Sequence, residues 1–311
     1  MPRKFLNISE DKMKELSVKQ GISLAVLSAA LYALSTPFSK MLLEYIPSTM
    51  MAGLLYIGAG FGMGAIALLR KKTGKNSEDG KFTKAEMPYV FAMIILDIAA
   101  PISLMFGLKM TSAANASLLN NFEYVATALI AFFVFKEKIG KRLWLGITMT
   151  VISCVILSFE GSAALSFSKG SVLILLSAVF WGIENNCTRA LSEKDPMIIV
   201  LLKGIFCGGT SFVLALLLGE RAENVLSIVL ALALGLVSYG LSIFAFVYAQ
   251  RILGAARTSV YSALTPFLAA IISLIAFREL PGIKYLFALC FMIFGAWLSS
   301  SDKLIFKRKE K

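Results

Sequence analysis

Three acidic residues lie inside stretches that are otherwise apolar enough to enter a membrane: Asp97, Glu123 and Glu184. A carboxylate inside lipid costs at least about 2.5 kcal/mol, so each is expected to face a cavity or a partner. For Asp97, the alternative to a binding site is an ion pair with Lys203 or Lys40. For Glu184, the alternative is an acid that faces the membrane surface. We predict that all three acids line one substrate-binding cavity.

Polar side chains surround Glu123 within residues 114–137. Successive residues of an α-helix are rotated by about 100°, so the polar side chains of this stretch fall within an arc of about 160°. They are Ser117, Asn120, Asn121, Glu123, Tyr124 and Thr127. We predict that Asn120 and Asn121 line the cavity with Glu123. The alternative is that all three side chains only join helices through hydrogen bonds, which two adjacent amides would suit well.

A related stretch recurs in the second half of the chain, at residues 256–279. Tyr261 and Thr265 share one helical arc of about 100° there. They are predicted to form the matching wall of the cavity. Arg257 precedes them, and its guanidinium suits a bidentate grip on a substrate carboxylate. The alternative is a basic side chain that anchors the topology at the membrane surface.

Residues 21–43 and 170–191 carry polar and aromatic side chains at matching positions. The candidate site residues on them are Tyr32, Ser35, Trp181, Glu184 and Asn185. Small hydroxyl-bearing side chains also permit close helix packing, which is the alternative for Ser35. Later in the chain, Tyr239 takes the position that Asp97 holds in the first half, and it completes the predicted site.

The composition places these residues in membrane helices. The chain has 311 residues, of which 58% are hydrophobic and only 16% are charged. A soluble domain carries roughly 25% charged residues. A helix needs about 20 residues to cross a bilayer. We therefore predict an all-α integral membrane protein with ten spans, at about 21–43, 48–69, 88–108, 113–135, 141–159, 170–191, 197–218, 225–248, 256–277 and 282–300.

The net charge of +12 is explained by membrane topology. If the N-terminus is cytoplasmic, most lysines and arginines lie in cytoplasmic loops and tails, as the positive-inside rule requires. We therefore predict a multi-pass protein of the cell membrane with both termini cytoplasmic. The expected partners are the lipid bilayer and a small-molecule substrate, with protons as a candidate coupling ion. Nucleic acid is not expected, and the chain is expected to be a monomer or a weak homodimer.

The two halves of the chain match each other. A shift of 149 residues places Gly21 on Gly170, and a shift of 142 residues places Glu137 on Glu279. Each half has five spans, an odd number, so the second half enters the membrane from the opposite side. The predicted parts of this single membrane domain are a cytoplasmic leader (1–20), a first repeat (21–158), a second, inverted repeat (170–300) and a basic tail (301–311).

Prolines and glycines predict how the helices bend and pack. Pro37, Pro101 and Pro266 are expected to kink helices that line the cavity. Glycines in the second and seventh spans are expected to form faces for close packing. They are Gly58, Gly60, Gly62, Gly64, Gly204, Gly208 and Gly209. Glu137 and Glu279 are expected to be helix-end residues.

The ten spans, the 5+5 inverted repeat and a glutamate just after the fourth helix of each repeat resemble the drug/metabolite transporter superfamily. The match is closest to its EamA-type ten-helix carriers. The resemblance implies a cavity lined by helices 1, 3, 4, 6, 8 and 9, with helices 5 and 10 at the periphery. It also implies small organic metabolites, often amino acids, as substrates, and it brings no catalytic residue.

The sequence therefore favours a secondary transporter that works by alternating access. The acidic excess inside the spans favours a substrate with an amine, such as an amino acid, and leaves a route to proton coupling. A channel or a non-transporting sensor is the alternative. An intramembrane enzyme is less favoured, because the chain has no histidine and no nucleophile motif. No metal or cofactor is expected, since the four cysteines form no C-x-x-C pair.

Overall fold

The computed structural model describes residues 10–72, 82–110, 116, 119–120, 122–158, 169–277 and 283–300. Within these ranges the regular secondary structure is entirely helical. The first half contains α1 (Glu10–Tyr32, continued by Ser35–Leu42), α2 (Ser48–Lys72), α3 (Met87–Met110), α4 (Phe122–Phe133) and α5 (Lys141–Ser158).

The second half repeats this order with more irregular helices. It contains α6 (Lys169–Ala190), α7 (Pro196–Leu202, Lys203–Gly208 and Gly209–Leu217), α8 (Val225–Gly235, Leu236–Leu241 and Ser242–Leu253), α9 (Ala255–Ser262 and Thr265–Phe277) and α10 (Ile283–Ser300). The middle segments of α7 and α8 are π-helical turns.

Six helical stretches in the described part of the chain are long and apolar enough to cross a membrane by length and composition. They are Ser17–Leu42, Ser48–Arg70, Met87–Met110, Lys169–Ala190, Pro196–Leu217 and Val225–Leu253. Phe122–Phe133 is a shorter apolar helix. Helix α1 begins at Glu10, before the predicted start at residue 21. The reason is that residues 10–20 are good helix formers with no proline or glycine among them.

Of the three prolines predicted to kink helices, two lie just after a break in their helix. Proline has no backbone N–H, so the carbonyl four residues earlier loses its helical partner. Pro37 follows a break at residues 33–34, and Pro266 follows a break at residues 263–264. These breaks confirm the prediction for α1 and α9. Pro101 lies inside α3, which runs without interruption.

Glycines bring α2 into backbone contact with α7 and α8. A Cβ atom added to Gly60 would lie 2.9 Å from the Cα of Gly204, and one added to Gly58 would lie 2.1 Å from the carbonyl oxygen of Leu232. A larger side chain at either position would therefore push the helices apart. The predicted packing face is confirmed at these positions. It is wrong at Gly209, where no atom of another described helix lies within 4 Å of the added Cβ.

The helices pack so that the two halves interlock. Helix α6 of the second half packs against α3 and α4 of the first half, and α8 packs against α1. Helices α5 and α10 pack mainly against each other, in agreement with the peripheral position that the resemblance implies. The two halves therefore meet through α1, α2, α3 and α4 of the first half and α6, α7 and α8 of the second.

The ends of α2 and α7 are held by carboxylates. Glu220 accepts a hydrogen bond from the backbone N–H of Met50 at 2.8 Å, at the start of α2. Asp195 accepts one from the backbone N–H of Met197 at 3.0 Å and caps the start of α7. These contacts fix the position of α7, which carries Lys203 into the interior.

Candidate functional site

A cavity of about 60 Å³ lies in the interior between the two halves. By this measure one water needs roughly 10–15 Å³, so the cavity has room for several waters or a small polar group. Its walls come from α1, α3, α4, α6, α8 and α9, with Tyr56 from α2 and Lys203 from α7. Eight residues predicted from the sequence line it: Tyr32, Asp97, Glu123, Trp181, Glu184, Asn185, Tyr239 and Thr265.

Lys203 joins two of the three acids. Its Nζ lies 2.7 Å from a carboxylate oxygen of Glu184 and 2.9 Å from one of Asp97. All three side chains are at most 4% exposed. For Asp97, the ion pair with Lys203 is therefore present in the structure, whereas Lys40 instead donates to the carbonyl oxygen of Leu108 at 2.8 Å.

Asp97 is also held by two neutral donors. Its Oδ1 accepts hydrogen bonds from the hydroxyl of Tyr56 at 2.8 Å and from the indole N–H of Trp181 at 3.1 Å. The two donors come from different halves of the chain, so the carboxylate of α3 is fixed from both sides. Buried charges require such satisfaction of their remaining hydrogen-bonding capacity.

Glu184 is buried, which makes the alternative of a surface-facing acid wrong. It is 2% exposed. In addition to its contact with Lys203, it accepts a hydrogen bond from the hydroxyl of Thr188, one helical turn further along α6. The cluster of Asp97, Glu184 and Lys203, hereafter the ion-paired cluster, thus links α3, α6 and α7.

Glu123 has amide partners rather than a cation. The side-chain amide of Asn185 donates to Glu123 Oε1 at 2.9 Å, and that of Asn120 donates to Oε2 at 3.4 Å. Within the described part of the chain, no salt bridge joins Glu123 to a lysine or an arginine. Asn121 lies outside the described residues.

Aromatic rings form much of the remaining wall. The ring centroids of Tyr32 and Trp181 are 6.4 Å apart, those of Tyr32 and Tyr239 are 5.8 Å apart, and those of Tyr56 and Tyr239 are 5.0 Å apart. Each pair meets edge to face. Aromatic faces attract ammonium groups, so carboxylates and rings together form an environment that suits a cation.

The two helix breaks lie at the cavity. Tyr32 is the last residue before the break in α1, and Thr265 is the first residue after the break in α9. The hydroxyl of Thr265 donates to the carbonyl oxygen of Ser262 at 2.6 Å, which gives one carbonyl freed by Pro266 a partner. The π-helical turns are also close by, since Lys203 begins one and Tyr239 lies in the other. Such turns are frequent at functional sites.

Four predicted residues are buried but do not contribute to the cavity lining. They are Ser35, Asn120, Arg257 and Tyr261. Tyr261 packs instead against Ala25 of α1 and Leu253 of α8. The predicted arcs assumed continuous helices, whereas the breaks separate Ser35 from Tyr32 and Tyr261 from Thr265. Whether these residues or the eight that line the cavity bind substrate stays a prediction.

No sequence pattern predicts Tyr56 as a site residue, and Lys203 is predicted only as an alternative ion-pair partner of Asp97. Tyr56 lies in an apolar stretch with no polar neighbour in sequence, and its role follows only from the packing of α2 against α3 and α8. Lys203 carried a usable signal, because a lysine within a span must find a partner. Among the described residues, no group of three histidine, cysteine, aspartate or glutamate side chains is arranged to hold a metal.

Membrane-spanning helices, two interlocked halves and a buried polar cavity between them define a multi-pass membrane protein of the transporter class. The chain belongs to the EamA-like transporter family, whose model matches it twice, over residues 19–159 and 168–301. The tandem match confirms the predicted resemblance and the fold of ten helices in two inverted repeats. It also places the chain in a family of transporters rather than of enzymes.

Individual proteins agree with this assignment. A protein of Methanothermobacter thermautotrophicus described as an uncharacterized transporter is 24% identical over 271 residues, which cover 82% of this chain and 79% of its own length. The uncharacterized transporter YdfC of Bacillus subtilis is 29% identical over 201 residues, or 63% of this chain and 65% of its own length. A solved crystal structure shares the fold, with a TM-score of 0.74 and 17% identity over 89% of this chain and 96% of its own.

Proposed function

We propose that this protein is a secondary active transporter that moves a small polar organic metabolite with an amine group, such as an amino acid, across the cell membrane by alternating access. The observation that carries the proposal is the charge balance of the cavity. Among the described residues that line it, Asp97, Glu123 and Glu184 are acidic, whereas Lys203 is the one basic side chain. An ammonium group would reduce this excess of negative charge.

The aromatic wall supports the same class of substrate. Tyr32, Trp181 and Tyr239 line the same cavity as the carboxylates, and the faces of aromatic rings attract ammonium groups. An amino acid would also bring a carboxylate, and the hydroxyl groups and amides of the wall provide donors for it. The zwitterion therefore remains a better match than an organic anion.

The breaks in α1 and α9 support alternating access. The two helices belong to opposite halves of the inverted repeat, and each is interrupted next to a residue of the cavity wall. Half-helices that meet at the substrate can tilt separately, so that one side of the cavity opens while the other stays closed. We place both termini in the cytoplasm, because the distribution of lysine and arginine favours that orientation.

Proton coupling is part of the proposal, with Glu123 as the coupling group. The ion-paired cluster already balances part of its own charge, whereas the partners of the Glu123 carboxylate among the described residues are the amides of Asn120 and Asn185. A proton or a substrate ammonium would neutralise Glu123 equally well. Loading with one would therefore compete with loading by the other.

The test is counterflow into liposomes that contain the purified protein. Each unlabelled amino acid, amine or small organic acid is loaded inside the liposomes in turn. Entry of the same compound in labelled form is then measured. We expect saturable counterflow for at least one amine-bearing compound and none for organic acids. Flux without counterflow would favour the channel alternative, and counterflow restricted to organic acids would contradict the amine specificity.

A further inference from the structure

The cavity contains an ammonium group that belongs to the protein itself. Lys203 Nζ lies between two carboxylate oxygens, 2.7 Å from Glu184 and 2.9 Å from Asp97. Tyr56 and Trp181 hold Asp97 in place by donating to its other oxygen. Two carboxylates around one nitrogen, bordered by aromatic side chains, is the arrangement expected of a subsite for a primary amine.

The cavity holds another carboxylate, that of Glu123, which is not paired with a lysine or arginine of the described residues. Glu123 lines the same cavity and accepts hydrogen bonds from Asn185 and Asn120. In the described ranges no lysine or arginine forms a salt bridge with it. The site therefore has two positions that suit a cation, and the chain fills one of them.

We propose that Lys203 acts as a tethered ammonium that fills the subsite of Asp97 and Glu184, so that the carrier selects substrates with one positive charge over diamines. This inference rests on the proposed function, since it concerns which amines that site accepts. A diamine could place one ammonium near Glu123. Its second ammonium would meet Lys203, and like charges that are close together in a buried site repel strongly.

Lys203 is thus a specificity-determining residue of a particular kind. It lowers the negative charge of the cavity without moving through the membrane with the substrate. Its position at the start of a π-helical turn of α7, against the glycine-packed α2, keeps it within reach of both acids.

The test compares wild-type protein with the double variant Lys203→Met/Glu184→Gln. The double variant removes one positive and one negative charge, so the net charge of the cavity is unchanged while the ammonium position is vacated. Binding of butylamine, putrescine and cadaverine to purified protein is measured by isothermal titration calorimetry. Lys203→Arg, which keeps the charge, and Lys40→Met, which removes a lysine outside the cavity, are the matched controls.

We expect wild-type protein and both controls to bind butylamine more tightly than either diamine. In the double variant the ratio of diamine to monoamine affinity should rise by about tenfold or more, the effect of one added charge-assisted hydrogen bond. An unchanged ratio in a folded double variant would overturn the inference. Wild-type protein that binds a diamine as tightly as the monoamine would overturn it as well, whatever the variants do.

The two proposals fail in different ways. If wild-type protein neither binds nor exchanges any amine, the amine specificity of the proposed function is wrong. If it exchanges monoamines but its preference for monoamines over diamines does not depend on Lys203, the proposed amine transport stands. Only the proposed role of Lys203 is then wrong.

Discussion

Replacing Lys203 with methionine tests whether the ion-paired cluster exists as the structure shows it. Methionine retains most of the length of lysine and removes the charge, so Glu184 and Asp97 lose a cation at 2.7 and 2.9 Å. The three side chains are at most 4% exposed, so bulk solvent does not reach the carboxylates that lose their partner. Removing one member of a buried ion pair costs about 3–5 kcal/mol, because the remaining charge is left uncompensated.

The measurement is the melting temperature of purified protein in detergent. At roughly 2 °C per kcal/mol for a chain of this size, Lys203→Met should lower it by about 6–10 °C. Lys40→Met is the matched control. Lys40 is only partly buried and donates to one carbonyl oxygen, so its loss should cost about 1–2 kcal/mol. If Lys203→Met melts within about 1 °C of wild type, Lys203 does not stabilise Asp97 and Glu184 as the ion-paired cluster implies.

A double variant separates electrostatics from packing. Combining Lys203→Met with Glu184→Gln removes the cation together with one of its acids. The double variant should be more stable than Lys203→Met by about 2 kcal/mol, because one uncompensated carboxylate is gone. If the double variant instead loses the sum of the stability losses of the two single variants, the loss in Lys203→Met reflects lost packing and not an uncompensated charge.

Three further predictions concern positions outside the cavity. Gly58→Val should lower stability by about 3 kcal/mol or more in a melting assay, because the added Cβ would clash with the α8 backbone, whereas Gly64→Ala, with room for a Cβ, should be neutral. Glu137→Gln should cost about 1 kcal/mol in the same assay, since Glu137 accepts from two backbone N–H groups at the start of α9. The backbone N–H of Thr83 holds the pKa of Glu86 below its usual value. This contact therefore stabilises the fold above the ordinary glutamate pKa and is lost as the pH falls through the lowered one, so Glu86→Gln should flatten the acid dependence of melting.

Local sequence patterns predicted the parts of the fold that depend on local chemistry. Apolar stretches of spanning length predicted the helices, and the breaks before Pro37 and Pro266 follow from the missing N–H of proline. The duplicated order of these features predicted the two repeats. None of this required knowledge of which helices touch.

The sequence predicted the acidic residues of the site better than it predicted how the side chains are arranged. Asp97, Glu123 and Glu184 were found because an acid in a span needs a cavity or a partner. Tyr261 does not line the cavity, because the break at residues 263–264 interrupts the helical arc that it was predicted to share with Thr265. Arg257, predicted at the end of the same helix, does not line the cavity either. The partners of Lys203 depend on how α7 faces α3 and α6. That orientation depends on contacts between glycines that are far apart in sequence, such as Gly204 of α7 and Gly60 of α2.

Positions that match under the 142-residue shift between the repeats carry different side chains at the cavity. Asp97 and Tyr239 occupy matching positions, and Tyr56 contacts both, with a hydrogen bond to the first and a ring contact to the second. Glu123 and Thr265 also match, and both line the cavity. The scaffold is thus symmetric across the cavity while its charges are not, which is what a site for one asymmetric substrate requires.

The proposed transport requires that the cavity bind an amine-bearing substrate and that Glu123 couple its movement to protons. The most direct measurement is uptake of the amine identified by counterflow into liposomes with an imposed pH gradient, with wild-type protein, Glu123→Gln and the exposed-site control Glu44→Gln. We predict accumulation driven by the gradient in wild type and in Glu44→Gln, and its loss in folded Glu123→Gln. Accumulation in Glu123→Gln with wild-type rate and pH dependence would show that Glu123 is not the coupling group.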